Sequence, residues 1–231
     1  MCGRFSQFKE INEIRLRFKL DQLGIEWNDP LFQQPRYNIA PTQIVPIVVR
    51  EADKTLRLMK WGLVPSWAQD QSIGNRMINA RAETLIEKPS FRHLVESRRC
   101  IVPATGFYEW AKTASGKVPM HIVPKDRGLF GFAGLWDIWK APNGEGRDCY
   151  SFTIITTSPN KLMADIHNRM PVILKREDEE PWLDQEIKDS KDLLPMLAPY
   201  PAEEMEAYEV SRLVNSPANN SPECVEPVRM L

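Results

Sequence analysis

A cysteine stands second in the chain, in the opening MCGRF, and that position offers a chemistry no internal cysteine has. Removal of Met1 would leave Cys2 with a free α-amine and a thiol on adjacent carbons. Cysteine is small enough at the second position for methionine removal. An N-terminal amine titrates at about 7.7–8.0, far below lysine, so part of it is unprotonated near neutrality. Such an amine attacks an aldehyde to give a Schiff base. The neighbouring thiol can then close on the imine carbon and form a thiazolidine, a step favoured because it is intramolecular. Taken alone, Cys2 reads first as an incidental surface thiol.

Three further stretches carry groups that such an amine and thiol could use. In INARAET, residues 78–84, the alternating Asn79, Arg81 and Glu83 share one side of an extended segment. An amide, a guanidinium and a carboxylate suit a polar ligand, or they form a solvated turn with a local Arg81–Glu83 pair. In GFYEW, residues 106–110, Glu109 stands between Tyr108 and Trp110. A carboxyl held against aromatics has a raised pKa, fit for general acid–base work; on an ordinary alternating strand it would face water. DIHNRMP, residues 165–171, sets His167 and Arg169 in a turn just before Pro171. His93 and His121 read as structural. WGLVPSW, residues 61–67, adds two tryptophans, and one exposed ring beside basic residues would stack on unpaired bases.

The elements that must position these groups follow from pattern. Phe8 to Leu23 has near-helical apolar spacing and ends at Gly24. IVPIVVR, LRLMKWGLV, CIVPATGFYEW, PMHIVPK, LFGFAGLWDIW, CYSFTIITT and PVILKR read as strands, rich in β-branched and aromatic residues. INARAETLIEKPSFRHLVESRRC reads as a loop followed by short helices, SPNKLMADIH as a short helix, and the acidic stretch around Trp182 and Leu193 as helices. Strands and helices mix without βαβ alternation. The expected fold is therefore α+β, one domain over residues 1–231 with a curved, barrel-like mixed sheet, flanking helices and a short tail after about residue 214.

Bulk properties narrow the function. The 231 residues suffice for a sizeable core, and no apolar run reaches the ~20 residues that span a bilayer. The start lacks a signal-peptide pattern. Cys2, Cys100, Cys149 and Cys224 are scattered, with no C-x-x-C, and the three histidines lack metal-ligand spacing, so no metal is expected. Residues 177–206 hold eleven acids against two lysines, so the rest of a chain of net charge −1 carries +8. That remainder includes a basic window at 75–99, with Arg76, Arg81, Lys88, Arg92, Arg98 and Arg99 against three glutamates. Such a face could follow phosphates, or the acidic stretch could simply be a solvated face.

MCGRF, INARAET, GFYEW and HNRMP, in this order and with RYNIAPTQ, WGLVPSW and FTIITT between them, resemble the SRAP family, the SOS response-associated peptidases. The resemblance runs from Met1 to about Val214. It implies a mixed α/β domain with a barrel-like core and a basic groove. It also implies a sensor of abasic sites in single-stranded DNA that crosslinks covalently through its N-terminal cysteine. Carried over, Cys2 is the nucleophile toward the C1′ aldehyde of the opened sugar. Asn79 orients the amine and the adduct. Glu109 is the general acid–base, and His167 assists proton transfer and holds the lesion's phosphate.

By the same resemblance, Arg81 and Arg169 contact phosphates, Trp67 and Trp110 lie along the DNA path, Thr156 falls near a backbone contact and Pro41 lies at the wedge. Arg4 is a further phosphate candidate. A basic residue that some relatives place before Phe-x-x-Leu is absent; Pro89 or Ser90 stands there, and Arg92 is nearest. No cofactor is implied. The expected partner is single-stranded DNA with abasic sites. The expected location is the cytoplasm, at the nucleoid when DNA is bound, and the expected state is a monomer away from membranes. Two other classes stay open: a cysteine peptidase that removes its own leading residue, and a non-covalent reader of damaged DNA.

Overall fold

In the computed structural model, residues 2–20, 29–114, 116–141 and 146–228 are described. The strands are β1 (Phe5–Gln7), β2 (Arg36–Ile39), β3 (Ile44–Arg50), β4 (Lys54–Trp61), β5 (Asn79–Arg81), β6 (Arg99–Ala104), β7 (Gly106–Thr113), β8 (Gly116–Pro124), β9 (Phe130–Trp139), β10 (Cys149–Thr157), β11 (Met170–Pro171) and β12 (Met205–Glu209). The helices are α1 (Ile11–Phe18), α2 (Pro30–Gln33), α3 (Pro89–Ser97), α4 (Lys161–Ala164), α5 (Arg176–Leu183) and α6 (Ser190–Leu193).

Five strands close into a barrel in the order β10-β4-β3-β6-β9, because β9 pairs back onto β10 from Cys149↔Trp139 to Ile154↔Gly134. The barrel is mixed: β10 runs parallel to β4, and the other ladders are antiparallel. A second sheet, β12-β8-β7-β1-β2, lies beside it. The expected α+β architecture with a barrel-like core is the one observed.

Both faces of the barrel wall are buried, which explains its continuous apolar runs. On β3, Val45, Ile47 and Val49 join one cluster with Phe5, Trp61, Phe107 and Phe132. Val48 points the other way, into a cluster with Ile14, Phe18, Leu94 and Trp182 under the helices. Phe5 carries the second sheet into the first cluster, with its ring 5.2 Å from Trp61 and 5.9 Å from Phe132, edge-on in both.

Some elements differ from the sequence reading. CIVPATGFYEW is two strands, β6 in the barrel and β7 in the second sheet. The switch is at Thr105, whose N–H donates to the Ser6 carbonyl at 2.8 Å. Gly106 follows because a Cβ there would stand 2.2 Å from His121 Nε2. Of PVILKR, only Pro171 lies in a strand, the two-residue β11, and Ile173 adds one bridge to Phe132. The first helix is shorter than expected and ends on Lys19 at φ 50°, while Leu23 and Gly24 lie outside the described residues. The segment after residue 214 is packed: Asn38 Nδ2 donates to the Ser216 and Asn219 carbonyls, and Tyr108 Oη to Cys224 O.

Candidate active site

The N-terminus enters the second sheet alongside GFYEW. Phe5 pairs with Phe107, and the Tyr108 N–H donates to the Arg4 carbonyl at 3.0 Å. Continuing back along the same line, the chain brings Cys2 toward Glu109. From the barrel side, β5 pairs in parallel with β10, Asn79 opposite Ile154, and sets the Asn79 amide against the same residue. Asn79 Nδ2 donates to the Cys2 carbonyl at 2.8 Å. Asn79 Oδ1 is buried and has no hydrogen-bond partner among the described residues.

His167 arrives on the turn between α4 and β11. Asn160 caps α4 by accepting from the Met163 N–H at 2.9 Å, and the His167 N–H donates to Met163 O at 2.8 Å. The ring is fixed next: the Arg169 N–H, which can only donate, lies 3.1 Å from His167 Nδ1. Nδ1 is also 3.2 Å from the Arg169 carbonyl, which only accepts, so a donor and an acceptor of the same residue both lie within its reach. Nδ1 is 3.9 Å from Glu109 Oε1. The chain thus brings Cys2, Asn79, Glu109 and His167 together from four separate elements.

Electrostatics sort their roles. Cys2 is fully buried, and burial, reinforced by the Glu109 charge, pushes its thiol well above the ordinary range. Glu109 is 5% exposed, and burial raises its carboxyl to about 7. Desolvation lowers the His167 pKa, and the Lys112 and Lys117 charges act in the same direction. Near neutral pH the site therefore holds a thiol, a carboxyl that exchanges its proton and a neutral imidazole.

Glu109 and His167 open onto a cleft of about 520 Å³, lined also by Trp110, Lys112, Lys117 and the rest of the turn from Ala164 to Asn168. The Trp110 Nε1–H is held by Asn215 Oδ1 at 2.7 Å, which fixes the indole at the cleft wall. The two lysines face each other across the β7–β8 hairpin, and sequence reading did not select them. Their signal was present: two cations flanking a turn directly after GFYEW.

The other expected contacts are placed as follows. Arg81 is exposed at the end of β5. Arg169 is 14% exposed and pairs with Glu83, so the partner of Glu83 is Arg169 and not the neighbouring Arg81. Thr156 is buried, and its carbonyl accepts from Arg169 Nη2 at 2.6 Å; its hydroxyl supports that arginine instead of facing a ligand. Pro41 begins a turn in which Thr42 takes φ 73°, held by an N–H bond to Trp61 O at 2.8 Å. Trp67 is 59% exposed and lies in a separate hollow with Ile73 and Arg76.

Arg4 is a correction. It is buried, and its Nη1 donates to Asn38 Oδ1 and to Val214 O, each at 2.6 Å. The guanidinium ties the N-terminal strand to the C-terminal segment, and no phosphate reaches it without breaking those bonds. Arg99 of the basic window is also buried, and it caps backbone carbonyls of Val95, Trp182 and Asp184.

Among the described residues no helix is long and apolar enough to cross a membrane. Comparison with known proteins agrees with the geometry. The family described as SOS response associated peptidase (SRAP) matches residues 1–217. The chain is 50% identical over 228 residues to the abasic site processing protein YoqW of Bacillus subtilis (strain 168), covering 98% of this chain and 99% of the relative. It is 33% identical to the abasic site processing protein HMCES of Xenopus tropicalis, covering 97% of this chain and 78% of that one. A crystal structure of a Bacteroides thetaiotaomicron protein superposes with a TM-score of 0.90 at 30% identity, covering 99% of this chain and all of that one.

Proposed function

The chain belongs to the SOS response associated peptidase (SRAP) family, and from that membership we propose that it senses abasic sites in single-stranded DNA and crosslinks to them through Cys2. The observation that carries the reading is that Asn79 and Glu109 act on Cys2, with His167 beside Glu109, and that Cys2 is the residue whose amine and thiol become adjacent once Met1 is removed.

The reaction needs no redox partner. Ring opening of the abasic sugar exposes a C1′ aldehyde, with Glu109 giving and taking the proton. The Cys2 amine attacks that carbon, and Asn79 Oδ1 accepts one of the amine hydrogens and orients its lone pair. The hydroxyl of the resulting carbinolamine leaves as water after protonation, which gives the Schiff base. The thiol then adds across the C=N bond: sulfur bonds to carbon and the thiol proton passes to nitrogen. The high thiol pKa suits this order, because the amine attacks first and the thiol keeps its proton until the imine has formed.

The DNA would run over the cleft mouth, with Lys112, Lys117, Arg81 and Arg169 toward phosphates and Trp110 toward a sugar or base. Pro41 and Trp67 would border the path. Such contacts read backbone and stacking rather than base edges, so sequence preference is weak. An abasic site has no base to extract, which lowers the cost of presenting the sugar. A monomer would suffice for this reaction, since one chain supplies all four groups.

A peptidase reading gains less support. A nucleophilic cysteine acts as the thiolate, and burial beside Glu109 holds Cys2 as the thiol. The test is direct. Protein with Met1 removed, verified by intact mass, is mixed with an oligonucleotide carrying one abasic site and run on a denaturing gel. A shifted band lost in Cys2→Ala is expected. No band from verified protein would refute the crosslink, and salt-sensitive binding unchanged by Cys2→Ala would instead support a non-covalent reader.

A further inference from the structure

Arg169 is already occupied by an anion. Its Nη1 and Nη2 donate to the two carboxylate oxygens of Glu83, at 2.5 and 3.0 Å, the parallel geometry in which a guanidinium also holds a phosphate. Nη2 is further engaged by Thr156 O at 2.6 Å and Thr156 Oγ1 at 3.3 Å. The remaining Nε is buried and has no partner among the described residues, so it is not open to a ligand from outside. A phosphate can therefore take the fork of this arginine only where Glu83 now sits.

Glu83 is free to leave. It lies in the single turn Ala82–Thr84 with a side chain 50% exposed, whereas Arg169 stays anchored by Thr156. The Arg169 bond holds the Glu83 carboxyl below its ordinary range, with the Arg169 and Arg81 charges adding to it. Glu83 is thus ionised throughout the neutral range.

We propose that Glu83 is an internal stand-in for phosphate: in the free protein it fills the Arg169 fork, and a DNA backbone phosphate reaches that arginine by exchanging with it. The inference rests on the reading of Arg169 as a backbone contact. Its consequence is selectivity. The exchange weakens the grip on any single strand, so stable capture depends on the covalent step at an abasic sugar, and undamaged strand is released.

The test is equilibrium binding of an undamaged single-stranded oligonucleotide across a salt series, where no crosslink forms. In the native protein the Arg169 charge is already neutralised, so this contact releases no counterions. In Glu83→Gln and Glu83→Ala it does, and the slope of log affinity against log salt should steepen by about 0.7. Affinity at low salt should rise by up to about fivefold, the worth of one partly exposed ion pair. If both variants bind no tighter and with unchanged slope while Arg169→Gln weakens binding, Glu83 is only a strut for Arg169 and the proposal is wrong. If Arg169→Gln itself changes neither affinity nor slope, the underlying contact does not exist and the proposal falls with it, whereas crosslinking by Cys2 would be untouched.

Discussion

Asn79 donates its amide N–H to the carbonyl of Cys2 at 2.8 Å, while its own oxygen is buried without a partner among the described residues. A buried acceptor left open costs free energy unless something fills it. In the proposed reaction the filler is the Cys2 amine and, later, the ring nitrogen of the adduct. Asn79→Ala should slow crosslinking at saturating DNA by about 10- to 100-fold, as expected when a positioning group is removed. Undamaged-strand affinity should stay within about twofold. Quenched time courses resolved on denaturing gels measure the first, and anisotropy the second. An equal loss in both would mean that Asn79 binds DNA rather than orienting the amine.

Glu109 predicts the pH profile. Its carboxyl is raised to about 7 by burial, so as a proton donor it is lost as pH climbs through that value. The N-terminal amine must be unprotonated, so the rate also falls below its own range of about 7.7–8.0. The crosslinking rate should pass through an optimum near neutrality. Glu109→Gln cannot lose a proton there, so a slower reaction with no alkaline fall is expected. A retained alkaline limb in that variant would assign it to another group.

The same shift makes a stability prediction with the opposite sign from an ordinary paired carboxylate. A carboxyl whose folded pKa lies above its unfolded value binds the proton more tightly in the native state. Its favourable contribution is present at pH 4 and below and disappears as pH rises through about 7. Glu109→Gln should therefore unfold at a higher denaturant concentration than the native chain at pH 8, by about 1–3 kcal/mol, with little gain at pH 5. Denaturation curves at the two pH values test it. A pH-independent difference would show that Glu109 is not desolvated in the native state.

How much of this was readable in the sequence differs from element to element. IVPIVVR was legible as a strand because both its faces are buried, and its Val45, Ile47 and Val49 take one face and Val48 the other. The break at Thr105 was not, since nothing local marks a strand that leaves one sheet for another; the bond that fixes it comes from Ser6, 99 positions away. Four motifs named Cys2, Asn79, Glu109 and His167, which the fold brings together, but spacing could not say that Glu83 pairs with Arg169. That follows from β5 and β11 both adding to β10, which brings Arg81 and Pro171 opposite the same Thr156. Arg4 misled for the converse reason: an arginine beside a reactive residue resembles a ligand contact until its partners Asn38 and Val214 are seen.

Arg4 accordingly predicts a stability effect that its charge alone does not repair. Arg4→Ala and Arg4→Lys both remove the two 2.6 Å bonds to Asn38 Oδ1 and Val214 O. Each should destabilise the fold by about 2–4 kcal/mol, because charged hydrogen bonds disappear and buried acceptors are stranded. A phosphate-binding arginine would behave differently: Arg4→Lys would keep the charge, and with it most of the stability and affinity. Chemical denaturation of both variants decides between them.

Lys112 and Lys117 give the last prediction. They face each other directly in the β7–β8 ladder, an arrangement that is unfavourable for like charges. Neither has an ion-pair partner among the described residues, and both line the cleft with Glu109 and His167. A pair that opposes folding yet borders the reactive groups fits a phosphate held between the two ammonium groups. The double variant Lys112→Ser, Lys117→Ser should be as stable as the native chain or gain up to about 1 kcal/mol. Its salt slope for single-stranded DNA should flatten by about 0.7 for each phosphate that the lysines no longer neutralise. The His167 pKa should rise toward its ordinary value, since two of the charges that lower it are gone, and NMR titration of the ring would follow it. An unchanged salt slope with a raised His167 pKa would restrict the lysines to tuning the imidazole, because the field at His167 depends only on where the charges sit whereas the slope depends on what they touch.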